Sequence, residues 1–403
     1  MVRGLREPLW AQSRARKSIQ LWGIAVAATL CISSQFANAQ DSRPIKTARN
    51  DPAAIQKLGD QINQNTIAIM SGNPNATYLS IAYDLSSVLD DGDNFRILPV
   101  IGKGGGQNLR DVRFLKGVDL GITQSNLLNR MRRTNEIGNL DDKIVYIAKL
   151  YNEEMHFIVR SDSNIRTLQD LNGKTVNFSD VGSGTQLSTH DIFEKLGIQA
   201  HEVNMGQNDA AVALKKGEID ATILIAGKPT GSTVKLKSAD GFRLLPVAYA
   251  KELQQDYLPA VLTHADYPNL IGEGEQVDTV AVGAVLIAYN WPKGTDRYNR
   301  LVSFVDHFFP RISEFQKPPR HVKWRETNLA ATLPGWTRFP YAEEWLQKHR
   351  PKVAASADLE RKQFNEFVAA RGPASSPLSE GGSFEEREQL FQEFMRWKQS
   401  RGR

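Results

Sequence analysis

The sequence predicts an α/β fold with largely parallel sheets, built as two lobes of similar design. Three observations predict it. Strand-like and helix-like segments alternate from about Thr66 to Ile287. One phrase, a helix followed by lysine, glycine, an aspartate and a strand, occurs at Asn108–Thr123 and again at Ala210–Leu224. Loops of small polar residues follow several strands at their carboxyl ends, where open α/β sheets place ligands.

The first 39 residues stand outside that pattern. Arg3, Arg6, Arg14, Arg16 and Lys17 make a basic start, and the apolar run Ile19–Ile32 comes next. It ends at Ala37-Asn38-Ala39 before Gln40, the order of a cleaved secretory leader. The run is short for a transmembrane helix, and no later stretch reads as one. The mature chain is therefore expected to be soluble and exported. The only cysteine, Cys31, lies inside the leader and follows Ala-Thr-Leu, which is not a lipoprotein pattern. That leaves no disulfide, no cysteine–metal site and no cysteine nucleophile in the mature chain. The remaining length, about 360 residues, is ample for two domains.

The charge is deceptive. The leader's five basic residues and one glutamate carry +4, and subtracting this from the chain's +5 leaves +1. A nucleic-acid or membrane-surface role loses its electrostatic basis with the leader.

The strands read in order as Thr66–Met70, Phe95–Ile101, Val118–Thr123, Ile144–Leu150, His156–Arg160, Lys174–Phe178, Asp220–Ile225 and Val277–Tyr289. Their apolar runs suit parallel strands covered on both faces. Gly117 and Gly217 suit helix ends, each with lysine in the preceding turn. Two lobes require one crossing between Leu150 and Arg160 and a return between Leu245 and Leu258, with Val277–Tyr289 and the helix Tyr298–Phe315 rejoining the first lobe. Two sequential domains without a return are the alternative. At the end, the Pro/Gly/Ser stretch Ala370–Ser383 reads as a linker to an amphipathic helix, Phe384–Gln399, with Ser383 and Glu386 as a capping box. That helix either folds back on its own lobe or binds a partner.

Four loops are placed to converge on one ligand. The first follows Met70 and carries Asn73, Asn75 and Thr77 before a helix that Tyr78 enters. The second is the glycine loop Gly102–Val112, with Gly106 and Gln107. The third is the strand end Thr123–Asn126, with Gln124, Ser125 and Asn126. The fourth opens a helix with Ser183, Gly184, Thr185 and Gln186; Gly197 closes that helix. A helix start offers free N–H groups and partial positive charge, so the short donors suit a carboxylate or another small anion. The plain alternative is that Ser183 or Thr185 only caps its helix. Lys228, after the strand Asp220–Ile225, either adds a full charge or is simply solvated.

Sharper motifs fail. The glycine loop has Gln107 where a dinucleotide loop needs glycine, and it lacks the Gly-Lys-Ser/Thr of a nucleotide P-loop. Val181 stands where a nucleophile elbow needs its first glycine, which argues against Ser183 as a nucleophile. The seven histidines show no i, i+4 pair, so neither a metal nor any other cofactor is expected. Capture is favoured over catalysis. The competing readings are a periplasmic hydrolase or transferase using Ser183 or His190, and a binding-fold sensor or interaction subunit.

Three segments, Gly106–Asn126, Leu168–Ser188 and Ala211–Pro229, together with Tyr257–Leu270, resemble the solute-binding subunits of the TAXI branch of TRAP transporters. The first loop, Ser71–Tyr78, keeps only Thr77 and Tyr78 of the family's glycine-, threonine- and tyrosine-rich character. The resemblance implies a type II periplasmic-binding fold: two α/β lobes, a two-crossing hinge and a ligand in the cleft. The resemblance covers roughly residues 60–345; with the leader and tail read above, the chain divides into a leader (1–39), a first lobe in two parts (40–154 and 248–350), a second lobe (155–247) and a C-terminal extension (351–403). The resemblance also implies a periplasmic, non-enzymatic, monomeric protein that captures a small organic anion, such as an amino acid or dicarboxylate, and delivers it to a TRAP-type membrane permease. No nucleic acid is expected as a partner. The hinge is expected near Glu154–Phe157 and Pro246–Ala250.

Overall fold

The computed structural model describes residues 51–74 and 76–349. The leader with Cys31, the C-terminal extension and Asn75 lie outside the described residues. Among the described residues no helix is long and apolar enough to cross a membrane. Contacts divide the chain after Ile55, and both lobes belong to the unit that begins at Gln56.

The elements are α1 (Pro52–Asn65), β1 (Thr66–Met70), α2 (Thr77–Leu89), β2 (Arg96–Val100), α3 (Gly105–Phe114), β3 (Leu120–Gln124), α4 (Ser125–Thr134) and β4 (Ile144–Arg160). Then come β5 (Thr175–Asn177), α5 (Gly184–Leu196), β6 (His201–Val203), α6 (Gln207–Lys216), β7 (Ala221–Ala226), β8 (Phe242–Leu245), β9 (Leu258–Thr263) and β10 (Gln276–Tyr289). Three helices complete the order: α7 (Asp296–Phe308), α8 (Ile312–Phe315) and α9 (Pro340–Lys348).

The strands run in the order β2-β1-β3-β10-β4-β7-β5-β6, with β8 on β4 and β9 on β10. Two halves of that order mirror each other. In one, β2, β1 and β3 are parallel and β10 runs against β3. In the other, β6, β5 and β7 are parallel and β4 runs against β7. These are two α/β lobes, the architecture expected.

The repeated phrase has a shared structural cause. Asp119 accepts from Ala68 N–H at 3.0 Å and its own N–H donates to Ala68 O at 3.0 Å. Asp220 does the same with Thr175, at 2.9 and 2.8 Å. In each lobe the aspartate before the third strand pairs both ways with the first strand, so backbone groups at the start of the ladder stay satisfied. Gly217 ends α6 in the left-handed region at φ 76°, as expected. Gly117 lies beyond Leu115, which closes α3, and turns the chain at φ 90°.

The first lobe packs Ile67, Ile69, Leu85, Leu120, Phe304, Phe308 and Trp324 into one core. The second packs Phe157, Val176, Ile192, Phe193 and Ile223 into another. Two strands pass between the lobes. β4 contributes Leu150 and Tyr151 to the first core, then Met155 and Phe157 to the second. The two strands expected here, Ile144–Leu150 and His156–Arg160, are one continuous strand. Its polar middle, Asn152-Glu153-Glu154, broke the apolar pattern, yet both glutamates are buried.

The return also differs from expectation. Val247, Leu253 and Tyr257 pack in the second core, and β9 pairs with the first half of β10. The stretch from Leu245 to Leu258 is therefore no crossing, and residue 248 does not start a return to the first lobe. The return runs along β10, where Val280 and Val282 lie in the second core and Ala284 and Leu286 in the first. At the crossing the two strands pair with each other, Ala281 with Glu154, Val282 with Glu153 and Gly283 with Asn152.

Candidate functional site

Each lobe ends its parallel strands in loops that turn into helices, and those loops face each other. Between them lies a cavity of about 40 Å³. The first lobe lines it with Gly72, Asn73, Ala76 and Tyr78 before and in α2, with Lys103, Gly104 and Gly105 before and in α3, and with Gln124 at the end of β3. The crossing strand β4 adds Glu153. The second lobe adds Ser179 and Asp180, Ser183, Gly184 and Thr185 around the start of α5, Gln207 at the start of α6, and Leu224 and Ile225 in β7.

Four helices thus begin at this cavity. The residues before α2, α3 and α6 are Ala76, Gly104 and Gly206, and none makes a side-chain cap. Their first-turn N–H groups lack the usual side-chain acceptor, and the helix dipoles add partial positive charge there. α5 differs. Ser183 Oγ accepts from Gln186 N–H at 3.1 Å, so the cap reading of Ser183 holds. Thr185 Oγ1 accepts from Ile225 N–H at 3.1 Å, which ties α5 to β7.

Of the expected binding residues, Asn73, Tyr78, Gln124, Ser183, Gly184 and Thr185 line the cavity. The others have different work. Thr77 Oγ1 donates to Gly227 O at 2.9 Å, from one lobe to the other. Gln107 N–H donates to Gly182 O at 3.3 Å, also between lobes. Asn126 Nδ2 donates to Ser188 Oγ at 2.8 Å and to Tyr257 O–H at 3.0 Å. Ser125 Oγ accepts from Gly283 N–H in the return strand. Gln186 is held by Gly182 N–H and Glu202. Gly106 is a packing position, where a Cβ would meet Leu187 at 2.3 Å. Lys228 turns away from the cavity: its ammonium sits 3.0 Å from Asp266 and donates to Val261 O. The lobes come close at Gly105 and Gly184, where a Cβ on Gly105 would lie 2.2 Å from Gly184 Cα.

Sequence reasoning missed Glu153. It is 2% exposed, and it accepts from Tyr78 O–H at 2.5 Å and Gln124 Nε2 at 3.2 Å. Burial pushes its carboxyl up to about 8, against those two hydrogen bonds, which favour the charged form. Its neighbour Glu154 is paired with Lys323 of the turn Val322–Glu326, Nζ to Oε1 2.6 Å. Only the burial of a strand gives such residues away, and polarity conceals it.

His190 meets Glu202 at 2.6 Å, and no hydrogen bond joins it to Ser183 among the described residues. No group of three acidic or histidine side chains is placed to hold a metal ion among the described residues.

Residues 69–293 match the model of the NMT1-like family. Similar solved structures include a periplasmic transporter, at 14% identity over 74% of this chain and 97% of that one, TM-score 0.43. The periplasmic binding protein BugD matches at 14% identity over 74% and 97%, TM-score 0.41. The aliphatic sulphonate binding protein SsuA from Escherichia coli matches at 16% identity over 70% and 78%, TM-score 0.38.

Proposed function

The chain belongs to the NMT1-like family, and from that premise we propose that it is an exported, non-catalytic solute-binding protein. It captures a small organic anion, a carboxylate, in the cavity between its lobes. The observation that carries this reading is the meeting of three uncapped helix starts, those of α2, α3 and α6, with the start of α5 at one cavity. Such a site stabilises negative charge through backbone N–H groups and dipoles. The two strand crossings supply a line along which the lobes part to admit the solute. The leader at 1–39 supports a periplasmic location, and the likeness of Gly106–Asn126 and Leu168–Ser188 to TAXI subunits supports delivery to a TRAP-type permease by a monomer.

Mass spectrometry of small molecules released from the purified protein tests this directly. A carboxylate is expected. Added back at a hundredfold excess over its Kd, it stabilises the fold by about 2.7 kcal/mol. Release of no small molecule, together with a melting temperature unmoved by any small carboxylate, would sink the proposal.

A further inference from the structure

Anion capture leaves one residue of the site unexplained. Glu153 brings a carboxyl into a cavity that otherwise favours negative charge. Its surroundings narrow what that carboxyl can be. Tyr78 of α2 and Gln124 of β3 both donate to the same oxygen, Oε2. Oε1 has no hydrogen bond among the described residues, so it is the oxygen open to a guest.

Among the described residues, none of the charged groups around Glu153 forms an ion pair with it. On β4 itself, Glu154 is adjacent and adds negative charge, and the Tyr151 phenol is buried. From the turn after α8, Lys323 favours the charged form of Glu153 from a distance, but its ammonium bonds Glu154 and Glu326 and burial outweighs it. From the loop before α3, Lys103 is exposed and donates to Val181 O. From the loop before α5, Asp180 is another acid on the cavity. No ion pair involves Glu153 among the described residues.

Now place an anion at the uncapped helix starts. It shares about 40 Å³ with Glu153. Two carboxylates so close do not both ionise; one keeps a proton. The guest lies against the helix starts, so the proton belongs on Glu153. Because Oε2 already accepts twice, that proton sits on Oε1. We propose that Glu153 grips the bound carboxylate as a neutral carboxylic acid, donating from Oε1, so that the solute is captured together with one proton whenever Glu153 starts ionised. The inference rests on the anion-capture reading. Burial, which raises the carboxyl's pKa to about 8, supports it before any guest arrives. Glu153 is then a specificity residue: it rewards a guest with a free acceptor oxygen.

The test is calorimetry on the processed protein with succinate, 2-oxoglutarate and L-glutamate, in buffers of different ionisation heat. Near pH 9 each binding carboxylate is expected to take up close to one proton, and near pH 6.5 almost none. Above about pH 8 the affinity falls by up to tenfold per unit. In E153Q an amide always donates, so the pH dependence disappears and the variant binds more tightly than wild type near pH 9. Proton release on binding L-glutamate, or loss of its binding in E153Q at every pH, would mean that Glu153 is a carboxylate serving a cationic group. That overturns the inference and leaves solute capture standing. If none of the three binds at millimolar concentration, the inference fails for dicarboxylates, while the carboxylate reading is decided by the solute released from the purified protein.

Discussion

Lys323 and Glu154 meet at 2.6 Å in a site almost closed to water, and the pair ties the C-terminal part of the first lobe to the strand that leaves it. Lys323 also reaches Glu326 at 2.6 Å, and Glu154 Oε2 accepts from Lys228 N–H, in the loop after β7. One ammonium therefore stands between two carboxylates. In Lys323→Met the two acids face each other without a cation, and a buried pair broken on one side costs about 3–5 kcal/mol. Urea unfolding is expected to show a loss of that size. A change below about 1 kcal/mol would mean that the carboxylates find water or protons easily.

Gly105→Ala tests the close approach of the lobes. Its Cβ would fall on Gly184 Cα, and Gly105 has φ 49°, which costs a side chain about 1–2 kcal/mol. With bound solute, small-angle scattering is expected to give a larger radius of gyration for the variant than for wild type. Affinity is expected to drop at least tenfold, about 1.4 kcal/mol. Equal dimensions for the two liganded proteins would show that the contact does not limit closure.

The start of α5 carries a stability prediction. Ser183→Ala removes the cap on Gln186 N–H and is expected to cost about 1 kcal/mol. Thr185→Val leaves the buried Ile225 N–H without its acceptor, at about 1–3 kcal/mol, and Thr185→Ser restores most of it. Denaturant midpoints decide both, and a neutral Thr185→Val would remove the tie from α5 to β7.

Two buried groups give opposite pH slopes. Glu153 titrates higher folded (about 8) than unfolded, so its contribution is present below about pH 4.5 and is lost as pH rises toward 8. His156 is fully buried between Tyr267 O–H and Leu224 O, and burial lowers it to about 4. Its contribution is present above about pH 6.5 and is lost as pH falls toward 4. Between about 6.5 and 8 only the Glu153 slope of these two remains, about 1.4 kcal/mol per unit. Over that window E153Q is expected to gain up to about 2 kcal/mol on wild type in urea unfolding. Parallel stability curves for the two proteins would place the Glu153 proton elsewhere.

The sequence made some of this legible for simple reasons. β1 was readable residue for residue because both its neighbours are strands and its run is apolar after Thr66. Ser183 and Gly197 marked the ends of α5 because capping is local chemistry. The repeated phrase signalled two lobes because Asp119 and Asp220 solve the same backbone problem. What stayed hidden was tertiary. Glu153 and Glu154 read only as part of an extended crossing between lobes, since nothing local announces Tyr78, Gln124 or Lys323. Lys228 read as either a ligand charge or a solvated lysine, and its pairing with Asp266, distant in sequence, is neither. Asn126 and Thr77 had the donors of a binding residue but spend them between the lobes.

The pairing of β4 with β10 has a mechanical consequence. Two separate tethers would let the lobes swing, twist and slide. Here the tethers are hydrogen-bonded to each other at Glu154–Ala281, Glu153–Val282 and Asn152–Gly283, and they form a single ribbon. A ribbon bends easily across its thin direction and resists bending in its own plane. The pairing slips register just beyond this line, between Ala284 and Val285 and between Leu286 and Ile287. Such a ribbon would confine any opening of the lobes close to one degree of freedom, like a book on its spine. Glu153 sits on that spine. The residue we propose as the proton-carrying group of the site would then also lie on the fold line, and a change in its protonation would act where the lobes meet.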